Sequence, residues 1–172
     1  MDIQIKVNVE FTLLGLSFFG DPFTSHAGWT EGNEIGRLWV RFLDYMKAAD
    51  PEALPENELP RVTLECHIIT PDSMETGEFE IFVGYKISDL DNVPADLLVK
   101  KFQPSTYVVF TSEGEGIMGN FDFDFDGELA KLGFKRTGPH FIQWYDERFK
   151  GLDNLEESQL DWWFPVTRID AD

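Results

Sequence analysis

The sequence has little cysteine, little positive charge and no long apolar run. Cys66 is the only cysteine, so no disulfide can form within the chain, and a reducing compartment such as the cytoplasm is expected. No stretch approaches the roughly 18 consecutive apolar residues of a transmembrane helix. The N-terminus also lacks the basic region and apolar run of a signal peptide. The sequence therefore predicts a soluble, cytoplasmic protein without a membrane partner.

Basic residues are outnumbered, with 14 Lys and Arg against 32 Asp and Glu, which gives a formal net charge of -18. Such a charge repels nucleic acid and anionic lipid, so direct nucleic-acid binding is not expected. It would attract a cation or a basic protein surface. The same acidity is equally explained as a device that keeps the protein soluble.

Residues that would support catalysis or metal binding do not form a recognisable motif. The adjacent Cys66 and His67 face opposite ways on a predicted strand, and no Gly-x-Ser-x-Gly elbow is present. Glu65 shares a face with His67, an arrangement that can orient a base, but we expect a solvated strand face there. An acidic run at 122–127 lacks the glutamate of a calcium loop, because that position is Gly133. We predict no catalytic residue, no metal and no cofactor.

What the sequence has is a globular composition, with 172 residues, 42% hydrophobic and 15% aromatic. This length fits one domain, which we place at residues 1–172, with two similar halves of about 1–90 and 91–172. Each half has the order strand, helix, strand, strand. The class is α+β, and the duplicated β-α-β-β units predict one curved antiparallel sheet with two main helices on one face and a groove between them.

Each half of the sequence has its own signals of strands and helices. In the first half an opening strand pair, or one long bent strand, is followed by an amphipathic helix with Asn33 as its cap and by a hairpin over 62–87. In the second half a strand stops at Pro104, and a strand from Tyr107 precedes a helical stripe over 117–132 that ends at Gly133. Residues 121–125 alternate strictly and also fit a strand, but we favour the helix. Two aromatic strands, near 140–145 and 159–168, complete the second half.

Five short pieces of sequence occur in an order that resembles the GyrI-like effector-binding family. They are Ile35-Gly36-Arg37-Leu38-Trp39-Val40-Arg41-Phe42, Gly84-Tyr85-Lys86-Ile87-Ser88, Pro104-Ser105-Thr106-Tyr107-Val108-Val109-Phe110, Phe141-Ile142-Gln143-Trp144-Tyr145 and Trp163-Phe164-Pro165-Val166. In bacteria this domain is the ligand-sensing part of AraC-type and MerR-type multidrug regulators. It also occurs as a free-standing binding protein or gyrase modulator, and some relatives resemble hydrolases.

The resemblance implies an aromatic pocket between the helices and the sheet, with a buried glutamate two residues before a tyrosine on the penultimate strand. Here the tyrosine is Tyr145, so Gln143 stands where the glutamate is expected. A carboxylate in a pocket attracts a cation, whereas an amide offers only hydrogen bonds. The family's usual route to cation binding is therefore in question.

The candidate ligand-binding residues are aromatic or polar side chains on the inner helix stripe and on the strands. Gln143 and Tyr145 are two apart on one strand and share a face with Phe141, which suits either a pocket or an ordinary core face. Trp162 and Trp163 point to opposite faces, and we favour Trp163 as the pocket residue. The full set is Trp39, Phe42, Tyr85, Tyr107, Phe141, Gln143, Tyr145 and Trp163.

Three functions remain open from the sequence. The first is a stand-alone binding protein for a small amphipathic organic ligand, whose charge Gln143 leaves undecided; any role in transcription would need a separate regulator. The second is an acidic interaction module of the gyrase-modulator type, which would engage a basic protein partner. The third is a hydrolase on the same fold, for which no activated nucleophile or base can be identified.

Overall fold

The computed structural model describes residues 2–28, 30–118 and 124–169. Within these residues the chain forms seven strands, three α-helices and short 3-10 turns. The strands are β1 (Ile3–Gly20), β2 (Thr63–Ile68), β3 (Phe79–Lys86), β4 (Leu98–Glu113), β5 (Phe134–Arg136), β6 (His140–Tyr145) and β7 (Gln159–Arg168). The helices are α1 (Glu34–Ala48), α2 (Ser73–Thr76) and α3 (Phe125–Lys131). No helix within the described residues is long and apolar enough to span a bilayer.

The strands form one antiparallel sheet in the order β4-β1-β3-β2-β6-β7-β5, and β4 also pairs with β7. This last pairing joins the two ends of a six-stranded row, so the sheet closes into a barrel with β5 as an extra strand on β7. The predicted α+β class and curved antiparallel sheet are confirmed. Closure had no local sequence signal, because it depends on the pairing of β4 with β7, which are far apart along the chain.

The long strands differ from their prediction at one point. We expected a stop at Pro104, but β4 runs through it and β1 is a single strand of 18 residues. Opposite Pro104 the register between the two strands shifts on both sides of Val9, and Asn8 has a positive φ of 56°. This bulge removes the need for the hydrogen bond that proline cannot donate.

The first helix agrees with its pattern. The Asn33 side chain accepts a hydrogen bond from the Gly36 amide at 3.0 Å, which caps the helix as predicted. Leu38 and Phe42 are its fully buried residues and pack against the outer face of the sheet. The helix ends at Ala48, just before Asp50-Pro51.

The second of the two main helices, α3, is shorter than the helix predicted over 117–132. A 3-10 turn covers Gly114–Met118, residues 119–123 lie outside the described part of the chain, and α3 begins only at Phe125. Its start is set by Asp124, whose carboxylate accepts from the Gly127 amide at 3.0 Å. Gly133, with a φ of +77°, follows the helix as expected for its stop signal.

Alternating residues divide the sheet into two faces. The residues on the inner face fill the barrel, whereas the outer face packs beneath α1 in one half and beneath α3 in the other. The barrel interior contains Phe11, Leu13, Leu64, Cys66, Phe82, Tyr107, Val109, Ile142 and Trp163. The helices do not cover all of the outer face of β2, β6 and β7, and the uncovered part lines a cavity.

Candidate functional site

A cavity of about 890 Å³ lies on the outer face of the barrel. Its floor is formed by β2, β6 and β7, and α1 forms one wall. Met118 and the segment after β6 form the opposite wall, and the loop before α1 covers part of it. The residues that carry its chemistry are Ile35, Trp39, Leu43, Thr63, Glu65, His67, Phe141, Gln143, Tyr145, Phe149 and Trp162. Its volume is within the range of small-molecule sites.

The floor follows from the pairing of β2 with β6. In this antiparallel register Glu65 lies opposite Gln143, with His67 opposite Phe141 and Thr63 opposite Tyr145. Since side chains two residues apart share a face, all of these residues point into the cavity. The intervening Leu64, Cys66 and Ile142 point into the barrel instead.

Glu65 is the central polar group of the cavity. It is only 3% exposed, and its two oxygens have different partners: Trp39 Nε1 donates to Oε2, and His67 Nε2 lies 2.6 Å from Oε1. Our prediction of a solvated strand face here is wrong. β2 lies between β3 and β6 within the sheet, and Trp39 of α1 reaches over it, so this face of the strand is covered.

Gln143 and Tyr145 line the same cavity from β6. The Tyr145 hydroxyl donates to Gln143 Oε1 at 2.9 Å, and both residues are buried. Burial raises the pKa of Tyr145 well above its usual value, and the nearby Glu65 charge adds to the effect. Tyr145 therefore stays neutral and acts as a hydrogen-bond donor.

Aromatic rings surround this polar group. The ring centroids of Trp39 and Tyr145 are 5.0 Å apart in a T-shaped contact, and Phe149 lies 4.9 Å from Tyr145. On the other side of the floor, the Phe141 and Trp162 centroids are 5.8 Å apart. Edge and face contacts of this kind form a rigid apolar wall.

His67 is held between two phenylalanine rings, one on β3 and one on β6. Its imidazole stacks on Phe141 at 4.6 Å and on Phe79 at 5.4 Å, with interplanar angles of 27° and 25°. The ring plane is thereby fixed with Nε2 towards Glu65. The pair resembles an oriented carboxylate and base, but it lies among apolar side chains.

Four of the eight predicted ligand-binding residues line the cavity: Trp39, Phe141, Gln143 and Tyr145. The other four lie elsewhere. Phe42 and Tyr85 pack in the core beneath α1, where the Tyr85 hydroxyl donates to the Pro55 carbonyl at 3.1 Å. Tyr107 and Trp163 point into the barrel, on the face of the sheet opposite the cavity.

The tryptophan pair shows how the faces are assigned. Trp162, not Trp163, lines the cavity, so our preference between them is corrected. Trp163 instead stacks on Trp144 inside the barrel, with centroids 5.0 Å apart. Sequence reasoning placed Glu65 and His67 on one face but expected that face to be solvated. Their alternation with the apolar Leu64 and Cys66 is that of an ordinary half-buried strand, so it gave no signal of the cavity.

The other titratable candidates do not converge on the cavity. Cys66 and His140 belong to the opposite face; burial raises the pKa of the Cys66 thiol and lowers that of His140 to about 4. Burial of Asp146 at the cavity edge opposes its ionisation, but hydrogen bonds from Arg148 lower its pKa on balance. No group of three or more metal-ligating side chains occurs within residues 2–28, 30–118 and 124–169.

Solved structures with the same fold include SAV2435 bound to tetraphenylphosphonium, with 17% sequence identity and a TM-score of 0.65 over 97% of this chain and 94% of that one. The integron cassette protein VCH_CASS2 of Vibrio cholerae matches with 15% identity and a TM-score of 0.54 over 96% and 95% of the two chains. The C-terminal domain of EcmrR matches with 11% identity and a TM-score of 0.65 over 98% of each. At these identities the likeness shows the fold.

No curated protein matches the chain in sequence. A family model does match, over residues 4–166, which is nearly the whole chain. Its description, an integron-associated effector-binding protein, agrees with the resemblance carried by the five sequence pieces, which is thereby confirmed, and it supports small-molecule binding in general. The chain belongs to the Cass2 family of integron-associated effector-binding proteins.

Proposed function

We propose that this protein binds an amphipathic organic cation in the cavity over β2 and β6, with Glu65 as the counter-charge. The observation that carries the proposal is the position of Glu65, buried on the cavity floor directly opposite Gln143. The carboxylate that the family resemblance places two residues before the tyrosine is absent, but one stands on the neighbouring strand. The cavity therefore keeps a carboxylate although position 143 is an amide.

The surroundings of Glu65 suit an apolar cation better than a small hydrated one. Its neighbours in the cavity are the rings of Trp39, Phe141, Tyr145 and Trp162, which bind aryl or alkyl groups by apolar contact and attract cations through their faces. A carboxylate in such a site is poorly screened by solvent, so its attraction for a cation is stronger than at the surface. SAV2435, which shares the fold, has been solved with tetraphenylphosphonium, a ligand of this chemistry.

The test compares two ions of nearly equal shape and opposite charge. Tetraphenylphosphonium and tetraphenylborate are titrated into the protein by isothermal calorimetry at pH 8 and about 0.15 M salt. We expect the cation to bind and the anion to bind at least about 100-fold more weakly, because Glu65 attracts the cation and repels the anion at short range. Equal affinities, or no binding of the cation, would contradict the proposal.

A further inference from the structure

Both oxygens of Glu65 are engaged by side chains of the protein itself, and the two partners differ in kind. Trp39 donates a hydrogen bond but is always neutral, whereas His67 can carry a proton and then forms an ion pair at 2.6 Å. A buried carboxylate without a positive partner is unfavourable, because the interior does not replace the solvation that it loses. The charge of His67 therefore determines whether the cavity floor is neutral or negative.

We propose that His67 is an internal cation that competes with the ligand for Glu65, so that binding of an organic cation releases a proton from His67. This rests on the proposed function, since it concerns the same carboxylate. With His67 protonated, the pair has no net charge and an organic cation gains little. With His67 neutral, Glu65 is available as the counter-charge of the ligand.

The aromatic contacts make proton loss the expected response of His67. The imidazole lies between Phe79 and Phe141, so the ring cannot swing away from Glu65 without breaking both stacks. The faces of these rings attract a positive charge, so they also hold a protonated imidazole in this position. A ligand cation near Glu65 would repel the positive charge of a protonated His67. Release of the proton removes this repulsion without moving the ring.

In the part of the chain that the structure describes, few other charged groups face His67. On its own strand it meets Glu65; from β3 and β6 the facing side chains are the rings of Phe79 and Phe141. The neighbouring Glu80 is bound to Lys100 at 2.7 Å, and His140 contacts Tyr107 in the barrel, so both belong to the other face. The remaining titratable groups that line the cavity are Glu31, Arg61, Tyr145 and Asp146.

Imidazole is the side-chain type that ordinarily changes charge between about pH 5 and 8, and His67 is the imidazole among these groups. Carboxyl, phenol and guanidinium groups as a class change charge mainly outside this range. A change in ligand affinity across this range therefore reports on His67. The exposed His26, in the loop before α1, is a matched control because it carries the same imidazole group but does not line the cavity.

The experiment measures the affinity of the intact protein for tetraphenylphosphonium between pH 5.5 and 8.5, with His67→Gln and His26→Gln as variants. For the wild type we expect affinity to rise by up to about tenfold per pH unit and then level off. Glutamine can still donate to Glu65 without charge, so His67→Gln should bind with nearly constant affinity. His26→Gln should keep the wild-type dependence. Calorimetry in two buffers of different ionisation enthalpy should show proton release at the acidic end only.

Equal pH dependence in the wild type and His67→Gln would overturn the inference while leaving the proposed function in place. Absence of binding at every pH in both proteins would overturn both. If His67→Gln does not fold, NMR of the wild type decides: tetraphenylphosphonium should move the titration of the His67 ring to lower pH, because linkage is reciprocal. An unchanged His67 titration in the bound protein would refute the competition.

Discussion

Glu65→Gln is the substitution that most directly separates a charge-selective cavity from a merely apolar one. Glutamine has nearly the same shape, and its oxygen can still accept from Trp39 Nε1 while its amide faces His67. The packing of the floor is therefore kept and only the negative charge is removed. Any loss of cation affinity can be assigned to that charge.

The expected size of the loss follows from Coulomb's law. The phenyl groups of tetraphenylphosphonium keep its charged centre at about 6 Å from a carboxylate, and an effective dielectric constant of about 20 gives an attraction of about 2.8 kcal/mol. This corresponds to about 100-fold in the dissociation constant. We expect Glu65→Gln to weaken tetraphenylphosphonium binding by this factor and to leave tetraphenylborate no weaker than in the wild type.

The matched control is Glu31→Gln, because Glu31 lines the same cavity but is exposed at its rim. Solvent and salt screen a charge in that position, so its removal should change affinity less than about fivefold. Calorimetry at pH 8 gives the affinities, and thermal melts establish that each variant is folded. If a folded Glu65→Gln binds the cation within threefold of the wild type, or if Glu31→Gln has the larger effect, the charge argument is refuted.

Two further predictions concern the opposite faces of the sheet. Burial lowers the pKa of His140 to about 4, so the unfolded chain binds this proton at a higher pH than the folded protein does. As the pH falls from about 6.5 to 4, the free energy of unfolding should therefore decrease by about 2 kcal/mol more in the wild type than in His140→Gln. Urea unfolding measures this difference. Trp162→Phe should weaken tetraphenylphosphonium binding, whereas Trp163→Phe should lower stability by about 1–3 kcal/mol with affinity unchanged. Reversed effects of the two tryptophan variants would refute the assignment of faces.

Much of the architecture was predictable because its causes are local. The Asn33 cap, the stripe of α1 with Leu38 and Phe42, and the alternation of β6 all follow from neighbouring residues. The prediction failed where a partner strand compensates for a local signal, as at Pro104, which lies within β4 because β1 bulges opposite it. The second helix was predicted too long because its stripe did not reveal where the Asp124 cap would begin it.

The sequence by itself determined which side chains share a face, since alternation in a strand depends only on the chain. It separated Trp162 from Trp163, and it placed Gln143 with Tyr145 and Glu65 with His67. Only the tertiary structure decided which face became the barrel interior and which became the cavity, because closure of β4 on β7 and the position of α1 are set by distant contacts. Those contacts bury Glu65 opposite Gln143, so a carboxylate that appears solvated in the sequence becomes the central charge of the cavity.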